Sequence, residues 1–237
     1  MVTGEGMTGT DDQRHDLATC IRMLEAQGIM DFNGHCSIRL DDGRMLINSG
    51  NCRRSAARRS DILTIDMQGN VIEGTGKPPL EFHLHAGLYR ARRDIGAIVH
   101  AHPRWSTYLS MTGHGYWPVF AQGTLVHPMP VLESPKSINT LEMADRLAAV
   151  IGDRPAALMK SHGAVAVGDT IVTAFVLATY LEENAERQYR ALQIGTPYVF
   201  DEQDCAEART KLWNEALFRR TWDHFSAKLP HLAEPSA

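Results

Sequence analysis

Hydrophobic and polar positions along the chain alternate with two periods, one typical of helices and one typical of strands. Near the N-terminal end, the helical period predicts a first helix that begins at Asp11 or Asp12, both suitable N-caps, and ends at Gly28. Its apolar stripe consists of Leu17, Cys20, Ile21 and Leu24. One face of this helix is therefore expected to pack against the core.

Two β-hairpins are predicted next. Strands over 35–40 and 44–48 are separated by the Asp-Asp-Gly sequence at 41–43, which favours a tight turn. The segment 62–74 has the same character, with its turn at 68–70. Consecutive hairpins of this kind build an antiparallel sheet.

Helical and extended segments alternate through the rest of the chain. We expect, in order, a helix over 81–92 started by prolines, a strand over 96–103, a helix over 104–111, an extended and proline-broken segment over 118–132, a helix over 138–151, a strand–turn–strand over 157–168, and helices over 171–193 and 202–228. No repeat or linker interrupts this order. The sequence therefore predicts a single α/β domain over 14–228, between a disordered tail (1–13) and a second tail (229–237). The layers are expected to be α/β/α, with a central, mainly antiparallel sheet flanked by helices.

Composition excludes several classes of protein. A hydrophobic fraction of 43% and a charged fraction of 22% are ordinary for a soluble enzyme. The net charge of −4 gives no reason to expect nucleic acid as a partner. No segment approaches the roughly 18 apolar residues of a membrane span. The four cysteines are scattered without a CxxC pair, so a cytoplasmic location is expected.

Candidate chemistry lies in a histidine constellation. His100 and His102 are two residues apart in a predicted strand, so their imidazoles project from the same face. His162 lies in a KSHG turn, and Glu81 lies upstream at a predicted helix start, one helical turn before His85. Three imidazoles with one open position are typical of a catalytic divalent metal site. Glu81 can complete that coordination or handle a proton, whereas His83 and His85 are expected to be ordinary helix residues.

The order of these motifs resembles the class II aldolase/adducin family. The resemblance rests on GHCSIR, DGRMLIN, KPPLEFHLHAGLYRARRDIGAIVHAHP and LMKSHGAVAVG, and it covers roughly residues 14–195. It implies a metal-dependent α/β/α enzyme with His100, His102 and His162 as ligands, and with Glu81 as fourth ligand and acid/base. One divalent ion per subunit is implied, drawn from Zn, Mn, Fe and Co. The resemblance also implies a homotetramer with the site near a subunit interface.

The sequence departs from the sugar-phosphate aldolases of this family at the positions that grip phosphate. Their Ser-Ser pair before the glutamate is replaced by Pro79-Leu80, and an asparagine is replaced by His35. Two hydroxyl donors have become apolar, which would leave phosphate oxygens unpaired. The aldolase Thr-Gly loop is replaced by residues 49–51, followed by Arg53, Arg54, Arg58 and Arg59.

An apolar wall beside guanidinium groups suits a flat, carboxylated aromatic substrate, because arginine binds carboxylate in a bidentate fork. This combination is similar to the decarboxylase branch of the family. It predicts non-oxidative decarboxylation of a hydroxylated aromatic acid, such as 3,4-dihydroxyphthalate or a hydroxypyridine dicarboxylate, with Glu81 or His35 delivering the proton. The expected substrate-binding residues are His35, Ser49, Asn51, Arg53 and Leu80, with Arg54 as an equal alternative to Arg53.

Three other functions are weighed against this one. A class II aldolase that cleaves a small hydroxy-aldehyde or a sugar phosphate is the main alternative. A non-catalytic, adducin-like scaffold is disfavoured because His100, His102 and His162 are all present. A metallohydrolase built on the H-x-H pair alone is disfavoured because residues 103–105 add no further ligand.

Overall fold

A computed structural model describes residues 5–230 as seven α-helices and one eight-stranded sheet. The helices are α1 (Glu5–Ala26), α2 (Phe82–Ala91), α3 (Arg104–Thr112), α4 (Leu141–Ile151), α5 (Ile171–Ile194), α6 (Glu202–Leu212) and α7 (Glu215–Ser226). The strands are β1 (His35–Arg39), β2 (Arg44–Asn48), β3 (Ile62–Asp66), β4 (Val71–Glu73), β5 (Ala97–Ala101), β6 (Val131–Leu132), β7 (Ala156–Met159) and β8 (Gly163–Gly168). Within residues 5–230, no helix is long and apolar enough to cross a membrane.

The strands lie in the order β4-β3-β2-β1-β5-β8-β7-β6. Every neighbouring pair is antiparallel except β6 and β7. The predicted hairpins are the pairs β1–β2 and β3–β4, and Asp66 holds the second turn by accepting the Asn70 N–H at 2.9 Å. The β1–β5 pairing places His35 directly opposite His100, which brings two distant segments of sequence together at one end of the sheet.

Each face of the sheet carries its own hydrophobic core. One core lies under α1, α5 and α7 and includes Leu17, Ile21 and Phe175. The other lies under α2 and α4 and includes Leu84 and Leu147. Alternation along the strands assigns successive side chains to opposite cores, which is the arrangement of an α/β/α sandwich. The predicted fold class, with a central and mainly antiparallel sheet, is confirmed.

The first helix begins earlier than its capping pattern predicted. It starts at Glu5, so Asp11 and Asp12 lie inside α1, and residues 5–13 of the expected disordered tail are helical. No proline interrupts this stretch, so nothing prevents the helix from extending N-terminally. The rest of that tail, 1–4, and most of the second tail, 231–237, lie outside the described residues.

Two further segments differ from prediction. Residues 118–132 are not extended throughout, because Ala121–Val126 form a 3₁₀ helix. The Asn184 side chain of α5 accepts the Val119 and Phe120 N–H groups at 3.0 Å and sets this turn. The expected helix over 202–228 is two helices, because Asn214 accepts the Leu217 N–H and caps α7 as a new start.

Candidate metal centre

His100 and His102 reach the site from the end of β5. His100 lies within the strand and is fully buried, and His102 follows one residue after the strand ends. Because side chains alternate between the two faces and these residues are two positions apart, both rings project toward the α2 side of the sheet. Their ring centroids are 5.0 Å apart.

His162 is carried by the tight turn between β7 and β8. Ser161 adopts a φ of 55°, a left-handed conformation that few non-glycine residues take, and the His162 N–H donates to the Met159 carbonyl at 3.0 Å. A β-carbon on Gly163 would lie 2.4 Å from the Ala101 carbonyl oxygen. Glycine is therefore required for the close approach that brings His162 beside His102, with ring centroids 5.1 Å apart.

Glu81 was predicted to be the first residue of a helix. It occupies the N-cap position of α2, which begins one residue later at Phe82. Its carboxylate does not cap that helix. Oε1 instead accepts the Ile138 N–H at 2.6 Å, and the two oxygens lie 3.7 Å from His100 Nε2 and His162 Nε2. Burial raises the pKa of Glu81, but the neighbouring imidazoles and the Ile138 N–H lower it by more, so the pKa lies well below its ordinary value. Glu81 is therefore an ionised carboxylate facing the histidines.

The four predicted ligands converge. One ligand atom each from Glu81, His100, His102 and His162 lies within 4.8 Å of all the others. This set joins a helix start, a strand, the residue after that strand and a distant turn. The structure thus brings together the residues that the sequence motifs placed in one group.

The hydrogen-bond partners of the three Nδ1 atoms indicate which tautomer each histidine ring adopts. His100 Nδ1 lies 3.0 Å from the Ala164 carbonyl oxygen, and His162 Nδ1 lies 3.3 Å from the Lys136 carbonyl oxygen. A carbonyl can only accept, so each Nδ1 carries the hydrogen. Each Nε2 therefore presents a lone pair toward Glu81, as a metal ligand must.

Asp31 holds the third imidazole. His102 Nδ1 lies 3.1 Å from both carboxylate oxygens of Asp31, which also accepts the Asn33 and Gly34 N–H groups. Burial raises the pKa of Asp31, but the hydrogen bond from His102 and the two backbone N–H groups lower it overall. Carboxylate–histidine pairs of this kind orient metal ligands. Sequence reasoning missed Asp31, and its only signal was an acidic residue before the first strand.

A divalent metal fits these residues. His100 Nε2 is buried and has no hydrogen-bond partner among residues 5–230, a cost that a bound cation would remove. Three imidazoles and one carboxylate form a donor set suited to a borderline divalent ion with an exchangeable position.

His35 lies beside this cluster without belonging to it. Its Nε2 is 3.8 Å from Glu81 Oε2, and its Nδ1 is 2.6 Å from His85 Nε2. Burial lowers the pKa of His35 to about 4, although Glu81 opposes that shift, and burial lowers the pKa of His85 well below its ordinary value. Both rings are therefore neutral near pH 7. His85, expected to be an ordinary helix histidine, is fully buried and touches His35.

An open cleft of about 660 Å³ leads to the cluster. Among the predicted substrate-binding residues, His35, Asn51 and Leu80 line it. Ser49 does not, because it lies buried beneath the loop, where its hydroxyl accepts the Asn51 N–H. Arg53 does not line the cleft either and is exposed elsewhere.

Arg54, and not Arg53, lines the cleft. It is only 4% exposed, and its Nε donates to the Gly34 carbonyl at 2.8 Å. Arg53 sits at the N-cap of the 3₁₀ turn Arg54–Ala56, which directs the two neighbouring side chains in different directions. Adjacent arginines in a sequence cannot be distinguished until that turn is known.

The comparisons with known proteins agree with this geometry. The model of the Class II Aldolase and Adducin N-terminal domain matches residues 15–189. The chain belongs to this family. The family predicted from the motifs is thereby confirmed, and class II aldolases use a divalent metal, in keeping with the Glu–His cluster.

Relatives of both reaction types are similar to the chain. A 5-methylthioribulose-1-phosphate/5-deoxyribulose-1-phosphate aldolase from Rhodospirillum rubrum is 31% identical, over 78% of this chain and 84% of that protein. A 3,4-dihydroxyphthalate decarboxylase from Arthrobacter keyseri is 30% identical, over 77% of this chain and 79% of that protein. The structure of an L-fuculose 1-phosphate aldolase from Glaciozyma antarctica PI12 matches with a TM-score of 0.84 at 19% identity, covering 97% of this chain and 92% of that chain. Similarity therefore assigns the chain to a family of lyases without choosing between aldehyde and carbon dioxide release.

Proposed function

We propose that the protein is a metal-dependent, non-oxidative decarboxylase of an aromatic carboxylate with a neighbouring hydroxyl, such as 3,4-dihydroxyphthalate or a hydroxypyridine dicarboxylate. One observation carries the proposal. The cleft at the Glu–His cluster combines an apolar wall, Pro79-Leu80, with the buried guanidinium of Arg54.

The apolar wall suits a ring. Leu80 is 83% exposed and offers a hydrophobic surface beside Glu81, with the buried Pro79 also lining the cleft. A planar aromatic acid can cover that surface, whereas a phosphate placed there would lose hydrogen bonds to water without replacing them.

Arg54 suits a carboxylate. Its Nε and Nη1 are engaged by the carbonyl oxygens of Gly34 and Cys52, so the guanidinium is fixed in place. A guanidinium held in this way binds a carboxylate with little further loss of side-chain entropy. A second carboxylate on the ring is the proposed partner.

The reaction breaks the bond between the ring and its carboxyl group, carbon dioxide leaves, and the electron pair left on the ring takes up a proton. A divalent metal, when bound, supplies the Lewis acid that stabilises this electron pair. The carboxylate of Glu81 can accept the proton of a substrate hydroxyl, and Glu81 or His35 returns a proton to the ring carbon. Both side chains face the cleft.

A class II aldolase acting on a sugar phosphate is the second candidate. It is favoured by Lys77, which also lines the cleft and could meet a phosphate together with Arg54, and by the aldolase from Rhodospirillum rubrum among the relatives.

Parallel assays distinguish the two. Protein loaded with Zn²⁺ or Mn²⁺ is incubated with 3,4-dihydroxyphthalate, a hydroxypyridine dicarboxylate, 5-deoxyribulose 1-phosphate and fuculose 1-phosphate. Release of carbon dioxide from an aromatic acid supports the proposal. Aldehyde release from a sugar phosphate, with no carbon dioxide from either acid, would replace it with the aldolase.

Two variants control the assay. His162→Ala removes one of the four converging side chains and is expected to abolish turnover. Lys160→Ala changes a residue in the same turn that is exposed and paired with Glu133 outside the cleft, so its turnover should match that of the unmodified protein.

A further inference from the structure

A chain of four buried side chains leads from the cleft into the layer between β1 and α2. His35 Nδ1 is 2.6 Å from His85 Nε2, and His85 Nδ1 is 2.6 Å from the Ser37 hydroxyl. The Ser37 hydroxyl is 2.7 Å from the Tyr89 hydroxyl. All four residues are at most 2% exposed. This hydrogen-bonded row of side chains begins at the candidate metal centre and ends in the core.

The end of the chain fixes the direction of its hydrogen bonds. Among residues 5–230, the only hydrogen-bond partner of the Tyr89 hydroxyl is Ser37. If Tyr89 donates to Ser37, then Ser37 donates to His85 Nδ1, and His85 Nε2 donates to His35 Nδ1. The last hydrogen then lies on His35 Nε2, which has no hydrogen-bond partner among residues 5–230 but faces the ionised Glu81 carboxylate at 3.8 Å. In the opposite direction the hydrogen without an acceptor is that of the Tyr89 hydroxyl, which is buried in the core. The first direction is favoured because its last hydrogen lies beside a negative charge.

This direction determines the tautomers of both histidines. His85 accepts at Nδ1, so its single hydrogen is on Nε2 and is donated to His35 Nδ1. The hydrogen of His35 is then on Nε2, the atom 3.8 Å from Glu81 Oε2.

The ring hydrogen of His35 lies on the opposite nitrogen from that of the three predicted metal ligands. Backbone carbonyls and Asp31 place the hydrogens of His100, His102 and His162 on Nδ1, leaving lone pairs on Nε2. His35 is directly opposite His100 on the neighbouring strand, yet it presents a hydrogen instead of a lone pair. It is therefore unsuited to ligate a cation and suited to donate.

We propose that Tyr89, Ser37 and His85 are positioning residues that hold His35 with its hydrogen on Nε2, so that an N–H faces the substrate. A carboxylate or phenolate oxygen is the chemistry that such a donor recognises. The identity of that oxygen rests on the proposed function, whereas the tautomer of His35 does not.

Neutron diffraction from crystals of the zinc-loaded protein, exchanged into deuterated solvent, tests the tautomer directly. We expect deuterium on His35 Nε2 and His85 Nε2, and on Nδ1 of the three metal ligands. Deuterium on His35 Nδ1 would overturn the inference.

A pair of similar variants tests the consequence for the reaction. His85→Gln keeps an amide N–H where His85 Nε2 lies, whereas His85→Met has similar length and no donor. We expect kcat of the Met variant to be at least about tenfold below that of the Gln variant, with a smaller difference in KM, because the donor matters as charge develops. Equal kcat in two variants of equal thermal stability would contradict a positioning role for His85.

Ser37→Ala removes the hydroxyl that donates to His85 Nδ1, which weakens the preference for a hydrogen on His85 Nε2. We expect kcat to fall about twofold, the loss that equal population of the two His35 tautomers would give. Tyr180→Phe is the matched control, because it also removes a hydroxyl–hydroxyl hydrogen bond, to Thr221 at 3.0 Å, in the opposite core. Equal kcat in the two variants would count against the inference.

Failure of the proposed function would look different. If neither aromatic acid is decarboxylated while deuterium is found on His35 Nε2, the function is wrong and the tautomer assignment stands. If carbon dioxide is released while deuterium lies on Nδ1, the function stands and the assignment is wrong.

Discussion

Replacing Asp31 by alanine is expected to weaken metal binding although none of the four converging residues is changed. Asp31 accepts the His102 N–H with both carboxylate oxygens at 3.1 Å, and this contact keeps the His102 lone pair directed at the other ligands. Without the carboxylate, the His102 ring can rotate or take the other tautomer. Either change places a hydrogen where the metal needs a lone pair.

The size of the effect follows from the contact. A hydrogen bond to a charged group contributes roughly 1.5–3 kcal/mol when buried. The Asp31 side chain is 40% exposed, so solvent screening reduces this to about 1–2 kcal/mol. Since 1.4 kcal/mol corresponds to a factor of about ten, we predict that Zn²⁺ affinity falls roughly 5- to 30-fold. Losses of about 10- to 100-fold are typical when the partner of a ligating histidine is removed.

The assay is a competition titration of Zn²⁺ between the metal-free protein and a chromophoric chelator at fixed pH. Asp31→Asn keeps an oxygen for the Asn33 and Gly34 N–H groups and loses only the charge, so its affinity should lie between those of the alanine variant and the unmodified protein. Asp41→Ala removes a similar turn contact, to the Gly43 N–H at the other end of β1, and should leave the affinity unchanged.

An Asp31→Ala affinity within twofold of the unmodified protein would refute the reasoning. An equal loss in Asp41→Ala would show that damage to a turn, and not the loss of a ligand's partner, is responsible.

Four further predictions concern the metal, the reaction, the substrate and the assembly. His100→Ala should bind less than one ion per subunit by elemental analysis, and full metal content would remove His100 from the ligand set. Glu81→Gln should lower turnover by roughly 10²-fold or more, as expected for a lost acid/base group, and near-normal turnover would exclude that role. Arg54→Lys keeps the charge but loses the fork, so KM for an aromatic dicarboxylate should rise about tenfold, while a monocarboxylate analogue shows little change. We propose, from family resemblance, a homotetramer with the site near a subunit interface; light scattering should give about four times 26.3 kDa, and the mass of a single chain would contradict it.

Local patterns predicted most of the fold. Hairpins, the H-x-H strand and the KSHG turn depend on residues a few positions apart, so their period and turn chemistry are visible in sequence. The predicted secondary structure was wrong where a side chain from a distant part of the sequence hydrogen-bonds to the backbone. The 3₁₀ helix Ala121–Val126 is one example, because the Asn184 amide that sets it comes from α5.

The site divides in the same way. The sequence alone was enough to group Glu81 with the three histidines, because the H-x-H strand, the KSHG turn and the helix start are each recognisable from neighbouring residues. Only the tertiary structure could place Asp31 against His102 or His85 against His35, since these partners are 71 and 50 residues apart. Only it could show that Arg54, and not Arg53, lines the cleft, because the 3₁₀ turn Arg54–Ala56 leaves Arg53 exposed and Arg54 buried. Candidate ligands can be recognised from short motifs, whereas the orientation of their side chains and the positions of their hydrogens depend on contacts that exist only once the sheet and its helices have assembled.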